Sequence, residues 1–191
     1  MDAVRTPVPR MQSVSASESS ANSQLAPLPA RSFAILTCMD ARIDANKLAQ
    51  LREGDAHVVR NAGARASDDA IRSLMMSHAA FGTREWFVVH HSHCGMALFD
   101  DETSRGLLAE TLTTAKTSPR ARRERMPSEA EGGAVIDWVA LQDERHSLVE
   151  DVERIRRHPL VPPDVTIYGY LYQTDSGRLV LVHQASSPVR P

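Results

Sequence analysis

Short apolar runs alternate along this chain with segments of helical spacing. Residues 33–38, FAILTC, form an unbroken apolar run that ends on a cysteine, the pattern of a buried strand. Residues 44–53, DANKLAQLRE, carry helix formers with Leu48 and Leu51 three apart and Asp44 placed as a cap. Gly54 and Asp55 mark a turn, residues 56–60, AHVVR, give a second short strand, and NAGAR is a loop. Ser67 followed by Asp68 and Asp69 reads as a helix start, a capping hydroxyl ahead of two acids. Ile71, Leu74, Met75 and His78 then recur at spacings of three and four, which predicts an amphipathic helix over 68–80 closed by Gly82. Residues 85–90, EWFVVH, are dense in aromatic and β-branched side chains and read as a third strand.

The middle of the chain is less regular. Residues 102–114 read as a helix, and residues 116–129, KTSPRARRERMPSE, with five basic residues and two prolines, read as solvated surface. Residues 133–157 carry helical material (Val135, Ile136, Val139, then Leu148, Val152 and Ile155), with Asp143 and Glu144 opening the last helix and HPLVPPD ending it. TIYGYLYQ and RLVLVHQ flank the turn TDSG, with Gly177 at its end, and read as a closing strand and a hairpin partner at the sheet edge. Strands that alternate with helices predict an α/β fold: a mostly parallel central sheet flanked by helices, with an antiparallel C-terminal edge strand. Residues 1–30, rich in Ser, Ala and Pro with little to bury, read as a disordered tail ahead of a single domain over 31–191.

Composition narrows the functional classes. A net charge of -2 over 191 residues gives no general footprint for nucleic acid, and the basic stretch 116–125 is too narrow for a nucleic-acid module. No apolar run has the length of a membrane span, and no hydrophobic region follows the early arginine as in a secretory signal. Two cysteines, each in a ligand-like setting, do not make a disulfide framework and point to a reducing compartment, the cytoplasm.

Those cysteines carry the chemistry. Cys38 ends the first strand in TCMDARID, and Cys94 follows the third in VVHHSHCGM. In a parallel α/β sheet, ligands bind beyond the carboxyl ends of the strands, where both motifs fall. Thiolate and imidazole together favour zinc over magnesium or calcium. His90, His91 and His93 all compete as the third ligand, and spacing alone does not choose among them; His57, at a strand start, reads as an ordinary partly buried histidine. Asp40 and Arg42 follow Cys38 at steps of two, which in extended backbone places all three side chains on one face. A carboxylate there can accept a hydrogen bond from water at a metal, and a guanidinium beside it keeps it ionised. Three protein ligands plus water make a catalytic zinc; Asp40 as a fourth ligand would close the site. Gly63 in Asn61-Ala62-Gly63 would let backbone approach this pocket.

CMDARID, the strand leading into RNAG, SDDAIRSL and HHSHCGM together resemble the β-class carbonic anhydrases over residues 31–183. The resemblance is to the compact prokaryotic branch, which includes carbonyl sulfide and carbon disulfide hydrolases. It implies one zinc per chain on Cys38, His91 and Cys94, selecting His91, and an Asp40–Arg42 dyad whose Asp40 becomes a fourth ligand in a closed form. It implies reversible hydration of carbon dioxide to bicarbonate by zinc-hydroxide attack, and a homodimer or homotetramer. Ala64 stands where many relatives have a second glycine, and the polar N-terminal arm departs from the helical arm that usually helps build the dimer. Hydrolysis of carbonyl sulfide or carbon disulfide is the enzymatic alternative, since zinc hydroxide serves any small linear electrophile. A non-catalytic zinc or redox-sensing protein is the other, and the Asp40–Arg42 pair speaks against it.

Overall fold

The computed structural model describes residues 25–100, 102–107, 139–141 and 143–186. Among them a five-stranded sheet runs in the order β2-β1-β3-β4-β5, built from β1 (Phe33–Cys38), β2 (Ala56–Asn61), β3 (Glu85–His91), β4 (Thr166–Gln173) and β5 (Arg178–Ala185). The first four strands are mutually parallel, and β5 returns antiparallel to β4 as the edge. Among the described residues the helices include α1 (Ala45–Leu48), α2 (Asp68–Phe81) and α3 (Glu144–Arg157). This is the mostly parallel α/β architecture with an antiparallel C-terminal edge that the hydrophobic pattern predicts.

Alternation along the strands divides the core in two. Ala34, Leu36, Trp86, Val88, Ile167 and Leu171 pack with Ile71 and Leu74 of α2 and Leu148, Val152 and Ile155 of α3. Phe33, Ile35 and Val89 gather with Leu48, Leu51, Phe87, Tyr170 and Tyr172 in a second cluster. α2 starts and stops as the sequence dictates: Ser67 accepts a hydrogen bond from the Ala70 N–H, and Gly82 ends the helix at φ 71°. Asp143 caps α3 by accepting from the His146 N–H.

Some boundaries differ from the sequence reading. The helix expected over 44–53 spans only Ala45–Leu48, capped as expected by Asp44. Leu48 and Leu51 both reach the Phe33–Ile35 cluster, and the chain delivers Leu51 by turning through Gln50 at φ 52° instead of continuing the helix. Residues 102–107 are helical, while 108–114 and the basic stretch lie outside the described residues. Of the helical material expected from 133, residues 139–141 are irregular and 133–138 lie outside the described residues. β2 and β3 each run one residue further than expected, to Asn61 and His91, because the ladder continues through the pairs Cys38–Asn61 and His91–Tyr172.

Gly169 lets α3 sit close on β4. A Cβ there would stand 3.0 Å from Val152 Cγ2 and 3.3 Å from Leu148 Cδ1, two side chains that are fully buried. Gly169→Ala is expected to overpack this contact and lower stability by about 1–3 kcal/mol, read as a shift in the urea midpoint; an unchanged midpoint would show that α3 can move away freely.

Candidate metal centre

β1 and β3 are neighbouring parallel strands, so their carboxyl ends emerge side by side. Thr37 Oγ1 ties them there by donating to the Val89 carbonyl at 3.0 Å. Cys38 is the last residue of β1 and His91 the last of β3. Cys94 follows a short turn and leads into a 3-10 segment at Gly95–Leu98. One ligand atom from each of Cys38, His91 and Cys94 lies within 4.8 Å of the other two, and all three residues are buried.

The donor set fits zinc. The two sulfurs are 3.8 Å apart, the separation of two thiolates each about 2.3 Å from one tetrahedral ion, roughly 3.8 Å. His91 Nδ1 donates to the Ser92 carbonyl at 3.0 Å, which fixes the tautomer and leaves Nε2 as the lone-pair atom. That Nε2 is buried with no hydrogen-bond partner. Spacing does not choose among the histidines; among the described residues the fold groups His91 with the two cysteines. His90 is buried against Asp151, His93 is 71% exposed near Asp175, and His57 is held by Ser77 and the Pro27 carbonyl.

The two thiols differ in acidity. Hydrogen bonding from the Cys94 thiol, aided by the His91 ring and by the Asp40 and Gly63 N–H groups and opposed by burial, lowers Cys38 to about 4. The same contact, with burial, pushes the Cys94 thiol up. Burial works to lower His91, yet the neighbouring Cys38, the Ser92 carbonyl and Asp40 raise it on balance.

Asp40 and Arg42 meet, though not as consecutive positions on one strand face. β1 stops at Cys38, and a turn follows in which the Arg42 N–H donates to Asp40 Oδ1 at 2.9 Å. Arg42 Nε and Nη2 then grip the two carboxylate oxygens at 3.0 and 2.7 Å, and Nη2 also donates to the His93 carbonyl at 2.8 Å. Those bonds hold the Asp40 carboxyl well below the usual carboxylate range. Asp40 Oδ2 stands 3.7 Å from His91 Nε2, and the Asp40 N–H donates to Cys38 Sγ at 3.4 Å.

Sequence reasoning passed over several supporting groups. Arg60 donates from Nε to the Cys38 carbonyl and from Nη2 to the Asp40 carbonyl, both at 2.9 Å, and its place at the end of β2 beside Cys38 is the signal. Asp151 shares the face of Leu148, Val152 and Ile155, at helical steps of three and four, so an acid on an apolar stripe marks it. Glu144 accepts the His93 N–H at 2.9 Å, with no signal in the sequence. Gly63 and Ala64 lie at φ 76° and 61°, so the alanine occupies a conformation that suits glycine.

Residues 33–179 match the family model described as carbonic anhydrase. The chain belongs to the β-carbonic anhydrase family. It is 37% identical over 152 residues to beta-carbonic anhydrase 1 of Mycobacterium tuberculosis, covering 79% of this chain and 82% of that one. It is 34% identical over 154 residues to a carbon disulfide hydrolase of Acidianus sp., covering 76% and 74%. Among solved structures it resembles a carbonic anhydrase from Glaciozyma antarctica, with a TM-score of 0.73, 34% identity and coverage of 90% and 97%. The enzyme assignment and the family resemblance drawn from the motifs both hold on these matches.

Because the Cys94 thiol is shifted upward, a metal must displace its proton to bind there. Zinc binding is therefore expected to release protons and to weaken as pH falls. Isothermal titration in buffers of different ionisation enthalpy checks this; binding with no proton release would contradict it.

Proposed function

We propose that the protein is a zinc-dependent carbonic anhydrase that interconverts carbon dioxide and water with bicarbonate and a proton. Cys38, His91 and Cys94 would hold one zinc per chain. When bound, zinc supplies Lewis-acid chemistry that makes water nucleophilic near neutral pH. The observation that carries the reading is the Asp40 carboxylate, kept ionised by a two-point Arg42 grip beside the ligand nitrogen. Asp40 accepts the hydrogen bond of the attacking water and so orients its lone pair toward the carbon. Arg42 fixes the carboxylate's position and, through the His93 carbonyl, ties it to the segment that carries Cys94. With both oxygens engaged by Arg42, Asp40 would accept from water at a bound zinc instead of binding the ion itself; rotation away from Arg42 would let it serve as a fourth ligand. Proton export is expected to need a further group. A homodimer or homotetramer goes with this reading as the family resemblance implies, and a cytoplasmic setting would keep the thiols reduced.

The similarity to a carbon disulfide hydrolase favours a second reading on the same residues, hydrolysis of carbon disulfide or carbonyl sulfide. Side-by-side assays of carbon dioxide hydration and of hydrolysis of both sulfur substrates, on zinc-loaded protein, separate the two. Carbon dioxide hydration is expected to dominate. Dominant release of sulfide would transfer the assignment to the alternative, and silence in all assays would favour a zinc-binding protein without this activity.

Asp40→Asn is expected to keep the fold and the zinc but to lower turnover about 100-fold or more. Metal analysis and stopped-flow hydration measure this together, and full turnover in the variant would remove Asp40 from the mechanism.

A further inference from the structure

A buried ion pair beneath the strand ends has no part in the chemistry above. Asp151 lies on the apolar face of α3 with its side chain 1% exposed. Its Oδ1 accepts the Ala66 N–H at 2.9 Å. Its Oδ2 lies 3.0 Å from Arg65 Nε, close enough for charge attraction although off the N–H line, and 3.0 Å from His90 Nε2. Arg65 is 7% exposed at its side chain and also faces Glu150 at 3.6 Å. Its Nη1 donates to the Ala140 carbonyl at 3.1 Å. Two charges withdrawn from water gain little net stability over apolar residues of the same size, so stability alone does not explain them.

Their contacts converge on the sulfurs. Gly63 and Ala64 directly precede Arg65, and Leu141 directly follows Ala140. Ala64 and Leu141 form one buried cluster with Cys38 and Cys94, and the Gly63 backbone is among the groups that lower the Cys38 thiol. A Cβ on Gly63 would stand 3.3 Å from Arg65 Cγ and 3.6 Å from Leu141 Cδ1, so the turn, the arginine stem and the leucine are already in contact. Two successive left-handed residues, one of them alanine, persist only where the surroundings hold them. Arg65 grips both segments, and Asp151 grips Arg65 and the end of the turn.

We infer that Arg65 and Asp151 are positioning residues for the metal centre: their buried pair clamps the 63–66 turn and the 140–141 segment so that the Ala64–Leu141 wall stays against Cys38 and Cys94. The inference rests on the zinc reading above and not on the choice of substrate. Outer groups of this kind typically change metal affinity 10–100-fold.

The test uses full-length, zinc-loaded protein and two variants, the apolar double replacement Arg65→Met/Asp151→Leu and the single Arg65→Lys. Zinc transfer to a chromophoric chelator and the visible spectrum of the cobalt(II) form are read alongside thermal unfolding. The folded double variant is expected to release zinc about 10–100-fold faster, with shifted cobalt bands. Arg65→Lys is expected to move in the same direction, because an ammonium cannot replace a planar fork that serves Asp151 and the Ala140 carbonyl at once. Parent-like release and spectra in a folded variant would overturn the inference, and Arg65→Lys decides it if the double variant does not fold. A parent that binds zinc but hydrates no carbon dioxide would count against the proposed activity alone; a parent that binds no zinc would overturn both.

Discussion

The convergence of two sulfurs and one imidazole nitrogen at the ends of adjacent parallel strands is the constraint around which the other features are arranged. Buried thiolates repel one another, and a buried imidazole lone pair without a donor is costly; a single cation shared by all three relieves both. The parallel register places Cys38 and His91 at one edge of the sheet, and Thr37 holds β1 to β3 immediately before that edge. Arg60 fixes the backbone just beyond it by holding the Cys38 and Asp40 carbonyls together. The Asp40 carboxylate therefore arrives beside His91 in a set position, with Arg42 closing the turn from outside.

Most of the fold was legible because its signals are local. FAILTC and EWFVVH are short apolar runs, and the stretch from Ser67 to Gly82 carries a cap, a stripe and a stop in consecutive positions. The four-residue α1 was overread because Leu48 and Leu51 suit either a continuing helix or a turn, and a left-handed Gln50 leaves no mark in sequence. The motifs pointed to the two cysteines that the fold brings together, but which histidine joins them depended on which way β3 faces at its end. His90 turns toward Asp151 and His91 toward Cys38, a distinction made by α3 from some fifty residues further along. The Asp40–Arg42 pairing was anticipated, yet it forms through a turn in which the aspartate takes the Arg42 N–H, not through strand alternation. Arg65 and Asp151 could not be paired from sequence, since their contact exists only once α3 packs under the loop after β2.

Two layers of charge thus surround the cluster with different tasks. The Asp40–Arg42 pair is partly open to solvent, with Arg42 more than half exposed. The Arg65–Asp151 pair is sealed from solvent and touches only backbone and neighbouring side chains of the fold. The first suits chemistry on a linear electrophile, whether carbon dioxide or a sulfur analogue. The second suits maintenance of an apolar wall made of Ala64 and Leu141.

The central claim is the identity of the ligands, and zinc K-edge X-ray absorption on the metal-loaded protein tests it most directly. The arrangement predicts two sulfur scatterers near about 2.3 Å and two nitrogen or oxygen scatterers near about 2.0–2.1 Å. A first shell with one sulfur, none, or more than two would contradict it.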